Sequence, residues 1–171
     1  MINDEGTDAL TLGRLAEAAG VTKPVVYDHF GTRDGLLAAL YEDFDIRQTA
    51  LFDTAVAAAE PTLLDKARGF AAAYVDCVMT QGRENQGVLA ALSGSPELII
   101  VKRHYQKALL KKCAEIFAPF AGPVGVPDAG LWAMLGAADA LSDAAVLGDI
   151  TEHEAKDALR LSILDVVQRS N

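Results

Sequence analysis

The stretch Gly20–Leu36, GVTKPVVYDHFGTRDGL, holds the two turns on which the fold depends. Gly20 supplies the left-handed backbone that ends a helix. Thr22 then stands as the N-cap of a short helix, with Pro24 in the first turn, where a missing N–H costs nothing. That helix ends near Phe30-Gly31, and Thr32 caps a third. Upstream, Thr11 caps a helix through Ala19, with Leu12, Leu15, Ala16 and Ala19 on one face. Small Ala16 lets the second helix cross closely, and Val21 and Val26 fill the angle between the two. This is the spacing of a helix-turn-helix. The outward set is Thr22, Lys23, Val25, Tyr27, Asp28 and His29.

That outward set has the chemistry of a phosphate-binding face. Thr22 and Lys23 sit at a helix N-terminus, where free N–H groups and the dipole favour an anion. Tyr27 and His29 donate to phosphate oxygens, and Val25 offers an apolar contact of the kind a thymine methyl accepts. Arg33, opening the next helix, adds a charge on the same side. Spacing alone leaves open whether the motif meets DNA, because the same geometry occurs in proteins that ignore it.

Outward from the motif, breakers divide the chain. Leu36, Leu37, Leu40, Tyr41 and Phe44 give the third helix an apolar stripe, and it runs to about Ala59. After Glu60-Pro61 a helix is expected over about 62–81, ended by Gly82, and a shorter one over about 84–92. Ser95-Pro96-Glu97 starts a helix reaching about Phe117. Residues 118–128, APFAGPVGVPD, read as a loop. Asp128 caps a helix to about Leu147, and Thr151 with Glu154 forms a capping box for the last one, to about Arg169. No strand pattern and no internal repeat is present. The fold class is all-α, with a helix-turn-helix segment over 1–45 and a helical bundle over 46–171.

The bulk composition agrees. Of 171 residues, 51% are hydrophobic, enough for a sizeable core, with alanine and leucine dominant. No 18-residue apolar run suggests a membrane span, and the acidic start MINDEGTD is unlike a secretory signal. Cys77 and Cys113 sit far apart inside helical patterns and read as reduced thiols of a cytoplasmic protein. No cysteine-histidine group has zinc spacing, and no metal or other cofactor is expected. An enzyme is not expected either. No Glu-x-x-His pair recurs on two helices as a di-iron bundle needs, and Glu152-His153-Glu154 is explained by capping. The formal net charge of −9 argues against nucleic acid for the molecule as a whole, but not against a local cationic face. Within 1–45, Arg14, Lys23 and Arg33 stand against nine acids, so DNA affinity is expected to be weak and steeply salt-dependent.

The run Leu10–Tyr41, LTLGRLAEAAGVTKPVVYDHFGTRDGLLAALY, resembles the DNA-binding signature of TetR-type transcriptional regulators. The signature is a threonine-led helix, an alanine-glycine-valine turn, a Tyr-x-His-Phe end to the recognition helix, and a basic residue followed by acid-x-leucine-leucine. The resemblance implies a homodimeric repressor on palindromic double-stranded DNA. Thr11 and Thr22 would bond phosphates, Lys23, Pro24 and Val25 would face bases, and Tyr27, His29 and Arg33 would grip the backbone. A small apolar or aromatic effector in the larger domain would shift the long helix, about 33–59, and release the DNA.

The resemblance also implies that the last two helices form a four-helix dimer interface through Leu131, Leu135, Ala138, Leu159, Ile163 and Val166. An intramolecular core is the other reading of that apolar periodicity. Candidate effector-contacting residues are Phe70, Tyr74, Met79, His104 and Trp132, with Leu89, Phe117 and Met134 beside them; plain core packing is again the other reading. The basic run Lys102-Arg103-His104 with Lys107, Lys111 and Lys112 reads as a solvated helix face. The family carries a further helix before the Thr11 helix, whereas only MINDEG precedes TDA here, which leaves a shifted gene start, a trimmed chain or a true absence. The rival to the regulator is an interaction protein that kept the bundle and lost DNA binding.

Overall fold

The computed structural model of the chain describes residues 7–170, without the side chains of residue 8, residues 81–86 and Leu89. The described residues form seven α-helices and no strand: α1 (Leu12–Ala19), α2 (Lys23–Phe30), α3 (Arg33–Ala58), α4 (Leu63–Leu92), α5 (Pro96–Phe117), α6 (Asp128–Leu147) and α7 (Glu152–Gln168). Short 3-10 turns precede α1 at Thr7–Ala9 and follow α5 at Ala118–Phe120.

Most boundaries follow from local chemistry. The Thr11 hydroxyl accepts from the Arg14 N–H, and Gly20 closes α1 at φ 66°. The Ser95 hydroxyl accepts from the Leu98 N–H at the start of α5. Thr151 and Glu154 form the full reciprocal capping box of α7. Three expectations are corrected. The helix expected to end at Gly82 runs on to Leu92 as part of α4. An interior glycine weakens a helix by only about 1 kcal/mol, and burial of Val88 and Leu92 beyond it favours continuation. Asp128 is the first residue of α6 and not its cap; that place falls to Pro127, whose extended backbone leads into the helix. The segment expected to be loop begins with the 3-10 turn at 118–120.

The chain forms two compact units, one of residues 1–46 with 83–105, the other of 47–82 with 106–171. In the second, Phe52, Phe70, Tyr74 and Phe117 form an aromatic cluster, with Phe52 edge-on to Phe70 and Phe70 stacked on Tyr74. Lys66 donates to the carbonyls of Val56 (2.6 Å) and Ala59 (2.9 Å), satisfying the end of α3 from α4. Helices α6 and α7 pack face to face. A Cβ on Gly130 would stand 2.8 Å from the Val166 Cγ1 methyl, so any larger residue there would have to push that side chain aside. Cys77 and Cys113 are free and buried. Burial pushes the Cys113 thiol up to about 12. Lys156 on α7 holds both Asp76 on α4 and Glu152.

Helix α6 is long and apolar enough, by length and composition, to cross a membrane, yet only a third of it is buried. Its inward residues Leu131, Met134, Leu135, Ala138, Ser142 and Ala145 belong to the core.

Candidate nucleic-acid interface

The first unit holds the helix-turn-helix. Two buried residues, Ala16 and Val26, lock α1 against α2. Val21 does not join them; it is 43% exposed, because the Gly20 turn carries it past the angle that Val26 fills alone. After α2 the chain reverses in a single γ-turn. Gly31 takes φ 68° and ψ −61°, and the Thr32 N–H donates to the Phe30 carbonyl at 2.7 Å. Only glycine holds that conformation without steric cost. The Thr32 hydroxyl then accepts from the Gly35 N–H at the start of α3.

With the reversal in place, the outer face of α2 is open. Thr22, Lys23, Pro24, Val25, Tyr27, Asp28 and His29 are all exposed, Val25 by 56% and Tyr27 by 51%. Thr11, at the head of α1, is exposed as well. Large apolar and aromatic side chains held in water on a short helix are a feature of a surface that meets something. Thr22 occupies the N-cap position but makes no capping bond. The lysine stem of Lys23 lies across α1, its Cε 3.8 Å from where a Cβ on Gly13 would be. His29 packs edge-on against Phe30.

Arg33 is the exception among the eight residues assigned to DNA. Its side chain is part-buried and turned inward. Nε donates to the Leu10 carbonyl (3.1 Å) and Nη2 to the Thr7 carbonyl (2.7 Å). The resemblance gives Arg33 to phosphate; in the structure the fork serves the backbone ahead of α1. Sequence spacing could not show this, because the two acceptors lie 23 and 26 residues away.

Residues 83–105 belong to this same unit, which the sequence did not signal. A Cβ on Gly87 would stand 3.2 Å from the Thr7 methyl, so α4 passes close to the 3-10 turn. Tyr41 on α3 meets Tyr105 on α5 edge to face. Burial, with Glu42 and Asp45 nearby, raises the Tyr105 hydroxyl above its ordinary value.

The residues assigned to effector and dimer contacts fall differently. Phe70 and Tyr74 are buried in the aromatic cluster, and Met79 and Trp132 are partly buried against it. The Tyr74 hydroxyl donates to Asp139 at 2.6 Å. His104 is exposed and belongs to the first unit. Leu89 falls outside the described side chains. The residues assigned to a dimer interface lie in the core of one chain. Leu131, Leu135, Ala138, Leu159 and Ile163 are 0–4% exposed within one chain. A side chain with no remaining surface cannot bury more against a partner. Val166 is half-buried against the same core. The apolar periodicity of α6 and α7 thus built their mutual contact, and the outward side keeps Ala129, Ala133, Gly136, Ala140, Leu147 and Leu161 exposed.

The geometry defines an all-α protein with a helix-turn-helix whose second helix presents its polar and apolar side chains to water. The sequence pattern of bacterial regulatory proteins of the tetR family matches residues 1–40. The whole chain is similar in fold to a transcriptional regulator from Rhodococcus sp. Rha1, with TM-score 0.76 and 16% identity over 99% of this chain and 91% of that one. It is similar to a TetR-like transcriptional regulator from Rhodococcus sp. RHA1, with TM-score 0.73 and 19% identity over 95% and 87%. It is also similar to the fatty acid degradation regulator FadR from Bacillus halodurans, with TM-score 0.74 and 16% identity over 95% and 88%. None of the curated proteins matches by sequence. The match to the tetR-family pattern is confined to residues 1–40, and the chain as a whole is similar in fold to TetR-type transcriptional regulators.

Proposed function

We propose that the chain is a homodimeric, cytoplasmic transcriptional repressor that binds a palindromic operator and is released by a small apolar or aromatic effector. The observation that carries the reading is the open face of α2, where Lys23, Val25, Tyr27 and His29 stand in water on a helix locked by Val26. In a major groove, Lys23, Pro24 and Val25 at the helix start would meet base edges, while Thr11, Thr22, Tyr27 and His29 would bond phosphates. The outward faces of α6 and α7, with Leu147 and Leu161 exposed, support a two-fold interface there. The cluster of Phe52, Phe70, Tyr74 and Phe117 supports an effector of apolar or aromatic character.

One observation favours the rival, an interaction protein without DNA binding: nine acids against three bases in residues 1–45. The test separates the two. The chain is titrated onto the DNA upstream of its own gene at low and moderate salt, with random-sequence duplex as competitor. Specific binding that falls steeply with salt supports the repressor. Equal, weak binding to both duplexes at every salt concentration refutes it.

A further inference from the structure

Arg33 has the composition of a DNA contact and the geometry of an internal strut. Its Nε and Nη2 donate to two carbonyls of one short segment, those of Leu10 and Thr7. That segment is also held from α1, where Arg14 Nη1 donates to the Ala9 carbonyl at 3.3 Å. Its Thr7 methyl also lies close to α4, 3.2 Å from where a Cβ on Gly87 would be. Leu10 is 4% exposed, and the next residue is Thr11, the cap of α1. Arg33 itself is the first residue of α3, two residues beyond the Gly31 γ-turn that ends α2. The guanidinium thus ties the entry of α1 to the entry of α3, closing a loop that contains α1 and α2.

We infer that Arg33 is a positioning residue of the head: it sets the angle of α2 by clamping Thr7–Leu10 to the start of α3, and it does not touch DNA. The inference rests on the DNA-binding reading for its affinity readout. A fork is required for this role. Two donors at fixed spacing reach two carbonyls, whereas a lysine ammonium is a single point donor on a flexible stem and cannot reproduce both bonds. The two roles therefore differ in what lysine does. A phosphate contact tolerates lysine and contributes to counterion release; a strut tolerates neither substitution and contributes nothing to the salt dependence.

The full-length chain and its Arg33→Lys and Arg33→Met variants are titrated onto the same upstream duplex over a range of salt. The temperature is kept where circular dichroism shows all three folded. Backbone amide exchange is followed on the same samples without DNA. Both variants are expected to bind about tenfold more weakly, for two lost charge-assisted bonds. Their slope of log affinity against log salt stays at the wild-type value. Amides of α1 and α2 exchange about tenfold faster in both variants. The inference is overturned if Arg33→Lys binds like wild type while Arg33→Met lowers the slope by about 0.9, the mark of one lost phosphate contact. It is also overturned if exchange in α1 and α2 is unchanged, or if both variants are unfolded throughout. If wild type shows no specific binding, the DNA reading falls and the exchange experiment alone decides the positioning role.

Discussion

Replacing Gly35 with alanine tests the junction that sets α2. Gly35 lies in the first turn of α3, where alanine normally strengthens a helix by up to about 1 kcal/mol. Here a Cβ would stand 2.1 Å from the Phe30 carbonyl oxygen, against 3.4 Å or more in ordinary contact. The carbonyl would have to retreat by about 1.3 Å. It is not free to do so, because it already accepts from Thr32 across the γ-turn at Gly31. Overpacking of this kind costs roughly 2–3 kcal/mol, so the net effect is a loss of about 1–2 kcal/mol. For a chain of this size that lowers the melting midpoint by about 3–6 °C. Phe30 is the last residue of α2, so operator affinity falls together with stability. Thermal melts by circular dichroism and DNA titration below the transition check both. The sign is decisive: a Gly35→Ala protein that melts higher and binds unchanged would refute the claim that the Phe30 carbonyl seats on Gly35.

Four further outcomes are expected. Ser142→Ala raises stability by about 1 kcal/mol in urea unfolding, since the Ser142 hydroxyl is 1% exposed with no hydrogen-bond partner and its desolvation is removed. Leu147→Glu together with Leu161→Glu gives monomers on light scattering; a surviving dimer would place the interface away from the outward faces of α6 and α7. Tyr27→Phe weakens operator binding by about 1 kcal/mol for one lost phosphate bond, read by anisotropy titration, while the melting midpoint stays unchanged. The fourth concerns pH. The Thr151 backbone N–H, then its hydroxyl, hold the Glu154 carboxyl below the ordinary 4.5. A lowered folded value means the stabilisation is complete above 4.5 and disappears as pH falls through the folded value. The wild type should therefore lose melting temperature across that acid window faster than Glu154→Gln, which has no carboxyl to titrate there, and parallel profiles would remove the capping box from the acid response.

The legibility of the fold divided along physical lines. These caps and turns were readable because they act within four residues: Thr11, Gly20, Ser95 and the Thr151–Glu154 box each stand where local hydrogen bonding demands. Gly82 misled because glycine only permits a helix end, and burial of Val88 and Leu92 beyond it favours continuation. The exposed face of α2 was legible from period alone, since Val26 was the one apolar position that had to turn inward. Leu131, Leu135, Leu159 and Ile163 were legible as an apolar stripe but not as to which partner it met. A helix in the same chain and a helix in a second copy satisfy the same pattern.

The sequence by itself determined most of the helices, the turns of the helix-turn-helix and the open face of α2, because each depends on short spacings between residues of known preference. The tertiary structure decided what long side chains and apolar stripes are used for. Arg33 reaches carbonyls 23 and 26 residues back, residues 83–105 join the head's unit, and α6 and α7 bury their stripes on each other. Those outcomes depend on which distant surfaces meet. A guanidinium or a row of leucines carries the same local signal whether it faces DNA, a second subunit or its own core.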